Sequence, residues 1–208
     1  MLQVLGRASS INVRKVLWTC VELARPYELV EWGIDARPLQ DPAFLALNPN
    51  ALVPVIRDGD VVLWESNTIC RYLAAQAGRT DLLPTEPAAR AQVEKWMDWQ
   101  ATELNNAWRY AFMGLVRRHP AYADAAQIAA STVAWHRQMS LLDAALQATR
   151  AYVNGAAFTL ADVVLGLATQ RWMLTPLPDR PALAAVQAYY ERLSERPGFR
   201  AHGRNGLP

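Results

Sequence analysis

The sequence has few of the residues that build a metal site or a disulfide framework. It contains two cysteines and three histidines in 208 residues, and no CxxC or HExxH motif. The histidines His119, His136 and His202 are too scattered to indicate a metal site, so we expect no metal. Cys20 and Cys70 fall on the apolar faces of predicted helices, and we expect both thiols to be buried and inert.

Long apolar runs and an excess of one charge are also missing. No apolar stretch approaches the roughly 20 residues that span a bilayer, and no basic segment followed by an apolar one opens the chain. The 21 basic and 19 acidic side chains leave a net charge of +2, with no basic stripe that would bind nucleic acid. We therefore expect a cytoplasmic protein without a signal peptide, and no nucleic-acid or membrane partner.

Signatures of nucleotide binding and of serine hydrolysis are absent, since neither GxGxxG, nor a P-loop, nor GxSxG occurs. The composition, 52% apolar and 19% charged, is that of an ordinary globular protein. The length is sufficient for one large domain or two small ones with a sizeable core.

Residues 1–80 combine strand and helix patterns. "LQVLG" and "YELVEW" predict strands, and "VPVI" and "VVLW" flank Asp58-Gly59-Asp60 and predict a hairpin. Apolar residues at helical spacing predict a helix from Asn12 to about Ala24, ended by Pro26, and a further helix opened by Ser66. This order predicts a four-stranded mixed sheet with helices on its faces.

The rest of the chain predicts helices. Residues 81–87 carry breaking prolines and predict a linker, and residues 88–208 predict an all-helical domain. Within it, helical patterns run from about Ala88 to Arg117 and from Asp124 to Gln147. Later, "FTLADVVLGLATQRWM" and "PALAAVQAYYERLSER" predict two more helices.

Two local features stand out in this second half. Thr159 and Asp162 form a capping-box pattern, which predicts the start of a buried helix. The tail from Gly198 onward is rich in glycine and charge, so we assign it no structure.

Three polar segments of the first domain carry candidate chemistry. The first is Ser9-Ser10-Ile11-Asn12, between the first strand and the first helix. Serine and asparagine are good N-caps, and capping alone could explain them. A helix N-terminus also favours anions, and a hydroxyl there could donate a hydrogen bond to a thiolate and favour its charged form. Both interpretations stay open at this point.

The second and third segments suit a peptide with a free amino-acid end. Val53-Pro54 follows an Asn-Pro-Asn turn and is a candidate cis peptide, which would offer the Val53 main chain to an extended peptide. In Glu65-Ser66, the serine and the helix amides could bind a carboxylate while the glutamate binds an ammonium group. The alternative for this pair is an ordinary cap beside a solvated acid.

Together these segments describe a ligand with a thiol, a peptide stretch and an amino-acid head, and here the sequence resembles the glutathione transferases. The resemblance rests on "SSINVRKV", "NPNALVPVI", "LWESNTICRYLA" and "FTLADV" at compatible spacing, and it covers nearly the whole chain. The pattern is similar to that of bacterial, theta-like, serine-type members. It implies a thioredoxin-like first domain, an all-α second domain, glutathione as co-substrate and a homodimer.

The resemblance also implies roles for individual residues. Ser10 matches the serine that stabilises the glutathione thiolate, and Asn12 matches an asparagine that shares or takes over that role. Val53 and Pro54 match the pair that binds the cysteinyl main chain. The residues matched to the γ-glutamyl end are Glu65 and Ser66.

The sequence departs from the family pattern next to the Val-Pro pair. The usual glycine there is Ala51, and the lysine or arginine of many members is Leu52, so one charged contact to glutathione is missing. Gln40 and Asn50, together with Leu52, are candidates for the glycyl end or the edge of the glutathione site.

We expect the electrophile pocket between Ser10 and the first long helix of the second domain. Arg109 is an arginine amid apolar neighbours and so needs a partner or a pocket, and Arg7 could face the same space. Two arginines near a thiolate would favour small anionic or carbonyl-bearing electrophiles, and solvated surface arginines are the alternative. The aromatic and apolar candidates of this pocket, which could also be core, are Trp108, Phe112 and Met113.

These features predict an enzyme that transfers glutathione to a small electrophile without a metal. Two alternatives remain. One is a glutathione-dependent disulfide or peroxide reductase on the same fold, and the other is a non-catalytic glutathione-binding or interaction protein.

Overall fold

The computed structural model describes residues 1–34, 36–206 and 208. Within these ranges the strands form one four-stranded sheet, in the order β2-β1-β3-β4. Strand β1 runs parallel to β2 and antiparallel to β3, and β3 and β4 form the predicted hairpin. The mixed sheet expected from the sequence is therefore confirmed. The strands are β1 (Leu2–Gly6), β2 (Tyr27–Glu31), β3 (Val55–Asp58) and β4 (Val61–Trp64).

Three helices accompany the sheet in the described part of the first domain: α1 (Ile11–Glu22), α2 (Pro42–Leu45) and α3 (Ser66–Gln76). Helix α1 begins and ends within two residues of its predicted bounds. Its apolar residues lie in one core with those of α3. Helical periodicity is thus sufficient to predict α1 and α3.

The two cysteines lie in this core, as expected. Cys20 and Cys70 are both buried and carry free thiols. Burial raises the pKa of the Cys20 thiol to about 12 and that of Cys70 to about 11. Both thiols are therefore protonated at neutral pH and are poor nucleophiles.

The second half of the chain is helical, as predicted. The predicted helix from Ala88 to Arg117 consists of two α-helices joined by a π-helical turn at Gln100–Leu104, followed by a short 3₁₀ turn at Pro120–Tyr122. The helices are α4 (Pro87–Trp99), α5 (Asn105–Leu115), α6 (Ala125–Thr149), α7 (Leu160–Leu174), α8 (Ala184–Ser194) and α9 (Pro197–His202).

Residues 160–172 of helix α7 are all buried, and the helix packs against helices of both halves of the molecule. The capping box of Thr159 and Asp162 opens it, as predicted. Trp18 of α1 packs against Gly166, where a Cβ would lie 2.9 Å from Trp18 Cη2. A larger residue at Gly166 would force the first domain away from the second.

The tail differs from expectation, because residues 197–202 form α9. Phe199 is buried, with ring centroids 5.0 Å from Trp18 and 5.6 Å from Tyr190. A Cβ at Gly198 would lie 2.2 Å from Trp18 Cδ1, so this glycine permits close packing. Among the residues that the structure describes, no helix has both the length and the apolar character that crossing a bilayer requires.

Candidate active site

The three polar segments meet at one edge of the sheet. Leu5 near the end of β1 pairs with Val55 at the start of β3, and Val55 pairs with Trp64 at the end of β4. The Ser10 loop follows β1, Val53-Pro54 precedes β3, and Glu65-Ser66 follows β4. The sheet register therefore brings these segments together, as their sequence order suggested.

Close packing joins the first two segments. A Cβ at Gly6 would lie 2.5 Å from Val13 Cγ2 and 3.2 Å from Val53 Cβ, so only glycine lets α1 and Val53 approach β1 this closely. The Val53-Pro54 peptide bond is cis, as predicted from the sequence.

Ser10 occupies the N-cap position of α1, but its side chain makes no capping hydrogen bond. Its main-chain oxygen accepts from Arg14 N at 2.9 Å. Within the described residues, neither the Ser10 hydroxyl nor the Asn12 amide donates or accepts a hydrogen bond, and both side chains are half-buried. The side-chain cap that would explain Ser10 structurally is not formed, so its hydroxyl remains able to bind a ligand.

Glu65 has an unusual main-chain conformation, with φ of +72° at the N-cap of α3. A non-glycine residue with positive φ is strained, and such residues cluster at functional sites. Its carboxylate caps no helix N–H and has no ion pair among the described side chains. Ser66 begins α3 and is buried. The ordinary cap considered for this pair is therefore not formed.

Asn48 organises the loop before Val53, and sequence reasoning did not select it. Its side chain is only 2% exposed; Nδ2 donates to Leu52 O at 2.8 Å, and Oδ1 accepts from Asn50 N at 3.0 Å. The Asn-Pro-Asn turn was the available signal, since asparagine often bonds the main chain two residues on. Leu52, Asn50 and Gln40 are exposed, and their contacts to glutathione remain predictions.

A buried lysine, also not foreseen, connects the two halves of the molecule below this edge. Lys15 Nζ donates to Asn67 Oδ1 at 3.2 Å and to Gln100 Oε1 at 2.7 Å. The pKa of Lys15 is lowered to about 8, chiefly by burial; Arg171 contributes to the lowering, and Cys70 and Glu65 oppose it.

The hydrogen bonds continue from Gln100 to the second domain's first long helix. Gln100 Nε2 donates to Asn105 Oδ1 at 2.8 Å, and Trp108 Nε1 donates to the same oxygen at 2.9 Å. Asn67, next to Ser66, is thus linked through Lys15 and Gln100 to the aromatic face of α5. Residues so far apart in sequence leave no local pattern, which explains why the network was missed.

A cavity of about 380 Å³ lies beside the Ser10 loop. Arg7 lines it, as does Ser9, together with Arg117 at the end of α5. Glu31 of β2 also lines it and supplies a carboxylate. The remaining lining residues are Ala8 and Ile34.

The predicted pocket residues of α5 occupy different environments. Phe112 is buried, Trp108 and Met113 are half-buried, and the Trp108 and Phe112 rings meet edge to face at 5.4 Å. Arg109 is exposed and does not line the cavity, which agrees with the alternative of a solvated arginine. One residue along a helix turns the side chain by about 100°, which takes Arg109 off the face that Trp108 occupies.

Comparison with known proteins identifies the family. A glutathione S-transferase N-terminal domain model matches residues 5–81, and a glutathione S-transferase C-terminal domain model matches residues 105–197. The chain is 42% identical over 207 residues to glutathione S-transferase GstB of Escherichia coli strain K12, covering 96% of each chain. The chain belongs to the glutathione S-transferase family.

Other members of the glutathione S-transferase family agree. The chain is 33% identical over 206 residues to glutathione S-transferase 3 of Zea mays, covering 95% of this chain and 91% of that one. Its fold matches the theta class glutathione S-transferase of Xanthomonas axonopodis pv. citri with glutathione bound. That match has a TM-score of 0.91 at 39% identity and covers 100% of this chain and 99% of the other. In the described residues, no group of three or more His, Cys, Asp or Glu side chains is arranged to hold a metal ion.

The departure from the glutathione transferase pattern at Ala51 has a structural cost. Ala51 adopts φ of +52°, a conformation that glycine adopts without steric cost and alanine only with strain. We expect Ala51→Gly to raise the free energy of unfolding by up to about 1 kcal/mol, since relief of strain exceeds the entropy cost of glycine. Urea unfolding would measure it.

Ala46→Gly is the matched control, because Ala46 has a right-handed conformation with φ of −64°. There the same change should destabilise by about 0.5–1 kcal/mol. Equal losses at both positions would show that Ala51 is not strained.

Proposed function

We propose that this glutathione transferase activates the thiol of glutathione with the Ser10 hydroxyl and the N-terminus of α1, and transfers the thiolate to a small electrophile. The observation that carries this proposal is the unpaired Ser10 side chain at the N-cap of α1. Unsatisfied N–H groups and the helix dipole favour an anion at that point.

The energies are of the right size for this role. A free thiol has a pKa of about 8.5, so only a few per cent is thiolate at neutral pH. Lowering that pKa by about two units takes roughly 2.7 kcal/mol. One hydrogen bond to a charged acceptor contributes roughly 1.5–3 kcal/mol, and the helix dipole adds to it.

The other segments would hold the rest of the tripeptide. The Val53 main chain would pair with the cysteinyl residue, and Ser66 and Glu65 would bind the γ-glutamyl carboxylate and ammonium. The unpaired Glu65 carboxylate and the convergence of these segments at one sheet edge support this assignment. Three residues would lie at the glycyl end: Gln40, Asn50 and Leu52.

The ultraviolet absorbance of the thiolate, followed across pH with glutathione bound, tests the proposal. We expect a depressed thiol pKa in the wild type that rises in Ser10→Ala, with the transfer rate at neutral pH falling about 10- to 100-fold. Ser9→Ala is the matched control and should leave the pKa in place. If Asn12→Ala raises the pKa and Ser10→Ala does not, the two roles are exchanged.

The same preparation distinguishes the alternatives. Disulfide or peroxide turnover exceeding conjugation would indicate a reductase, although the raised pKa values of Cys20 and Cys70 make the protein's own thiols unsuited to it. Glutathione bound with an unshifted thiol pKa would indicate a binding protein.

A homodimer in the cytoplasm belongs to the same proposal. Val62 and Trp64 on β4 are exposed apolar side chains. A mostly apolar cavity of about 440 Å³ lies on the helical half, lined by Lys95, Trp96, Trp99 and Leu141. The first domain of one copy would pack against the second domain of the other.

Sedimentation analysis would measure the assembly. We expect a mass of two chains for the wild type and of one chain for Leu141→Glu, because a carboxylate would be desolvated in the interface. Arg200→Glu, an exposed change on α9 that does not line this cavity, should leave the dimer intact. A single-chain mass for the wild type would refute the dimer, and cell fractionation would test the location.

A further inference from the structure

Arg171 on α7 is, with Arg14 on α1, one of two buried arginines among the residues that the structure describes. It is only 3% exposed, and its guanidinium carbon lies 4.0 Å from the centre of the Phe112 ring and 4.4 Å from that of Trp108. Two aromatic side chains of α5 therefore cover a cation that stands close to the predicted pocket.

Arg171 has no anionic partner in the part of the chain that the structure describes. Its Nε is buried without a hydrogen-bond acceptor, and no carboxylate forms an ion pair with it. Burial lowers the pKa of Arg171, and the positive charges of Arg14 and Arg117 lower it as well. Buried charges are normally paired, so an uncompensated guanidinium indicates a site for an anion.

Further arginines extend the positive region to the cavity beside the Ser10 loop. Arg117 lines that cavity and also lies over the Phe112 ring, at 5.5 Å. Arg7 lines it as well, and its Nε too is buried without a partner among the described residues. Arg14 is buried and donates to Asn205 Oδ1 at 3.2 Å and to Pro208 O at 3.1 Å. Against these cations, Glu31 is the carboxylate in the cavity lining.

We infer that this cavity selects small electrophiles that carry a carboxylate, which Arg7 and Arg117 bind while Arg171 adds a fixed positive charge behind Phe112. This inference rests on the proposed function. The guanidinium fork matches a carboxylate in a bidentate fashion, and a charge in a site shielded from water acts more strongly than one at the surface.

The reaction would be a displacement at the carbon next to the carboxylate. The glutathione sulfur, having lost its proton to solvent, forms a bond to that carbon. The bond from the carbon to its halogen breaks, and the halide leaves with the electron pair. No oxidant or reductant takes part.

Iodoacetate and iodoacetamide form a matched pair of probes, since they share the leaving group and differ in the charge. We expect kcat/KM, divided by the uncatalysed rate constant for each reagent, to favour iodoacetate by about tenfold or more. Arg117→Gln should reduce the value for iodoacetate about tenfold and leave that for iodoacetamide within about twofold. Arg7→Gln should act in the same direction.

Controls separate this effect from loss of structure. Arg117 is exposed, so Arg117→Gln should fold as the wild type does. Arg171→Met should also lower the iodoacetate preference, and its circular dichroism would report whether it is folded. Arg137→Gln removes an exposed arginine on α6 that does not line the cavity, and kcat/KM for both reagents should be unchanged.

Several results would overturn the inference. A normalised preference for iodoacetamide in the wild type would do so while leaving transferase activity in place. Equal losses for both reagents in Arg117→Gln, with a raised thiol pKa, would assign the arginines to the thiolate. Reaction with neither reagent above the uncatalysed rate would count against the proposed function as well.

Discussion

Asp162→Asn should lower the free energy of unfolding by about 3 kcal/mol. Asp162 is fully buried at the start of α7. Its Oδ1 accepts from Val153 N and Tyr189 OH, each at 3.0 Å, and its Oδ2 accepts from Thr159 N at 2.9 Å and from Thr159 Oγ1 at 3.1 Å.

The expected loss follows from the number of donors. Burial raises the pKa of the Asp162 carboxyl to about 6, so at pH 7 the group is ionised and accepts on both oxygens. Asparagine would accept on one oxygen only and would turn an NH₂ group toward the Thr159 N–H. A buried donor left without an acceptor costs about 1–3 kcal/mol, and the charged hydrogen bonds are lost as well.

Asp143→Asn is the matched control, measured by the same urea unfolding. Asp143 is also buried, but it accepts from only Val186 N, at 2.9 Å, and from Gln147 Nε2, at 2.6 Å. Asparagine can keep the first bond, and the Gln147 amide can turn to accept the second, so we expect a loss of about 1 kcal/mol or less. Equal losses at the two positions would contradict the view that the capping box is the anchor of α7.

The second large effect concerns pH. From pH 7 to pH 9.5 we expect the wild type to gain about 2 kcal/mol of unfolding free energy relative to Lys15→Met. The pKa of Lys15 is about 8 in the folded protein and 10.5 as its ordinary value. Between these values the unfolded chain binds more protons than the folded one, so stability rises with pH.

The chain offers a matched control, since Lys95 is the only other lysine and is exposed. The free energy of unfolding of Lys95→Met should change with pH in the same way as that of the wild type over this range. The raised pKa values of the Cys20 and Cys70 thiols lower the free energy of unfolding of every variant above about pH 9. The difference in free energy of unfolding between the wild type and Lys15→Met therefore reports on Lys15. Parallel curves for the wild type and Lys15→Met would show that burial does not perturb this lysine.

The features that could be predicted from the sequence depend either on residues that are neighbours in the chain or on the pairing of the strands. The Asp58-Gly59-Asp60 turn, the capping box of Thr159 and Asp162, and the period of α1 each depend on neighbours within a few residues. Once the hairpin and the sheet order are known, the convergence of the Ser10, Val53 and Glu65 segments follows, because paired strand ends must meet.

What could not be predicted depends on contacts between distant parts of the chain. Arg109 and Arg171 are both arginines among apolar neighbours, yet only Arg171 lies in a stretch of helix whose residues are all buried. In the sequence, Lys15 occupies a position typical of a solvated lysine. In the structure it is buried and bonded to Gln100 of the second domain. From the sequence alone, Gly198 indicates a flexible segment. In the structure the ring of Trp18 leaves no room for a side chain at this position.

The orientation of α5 depends on the number of residues in the π-helical turn at Gln100–Leu104 as well as on their identity. A single residue more or fewer in a helix rotates everything beyond it by about 100° and shifts it by about 1.5 Å. A one-residue deletion here would swing Asn105 away from Gln100 and Phe112 away from Arg171 without altering either side chain. Insertions and deletions at this turn could therefore change, in evolution, which side chains of α5 face the pocket. The first domain, with the residues proposed to bind glutathione, would be unchanged.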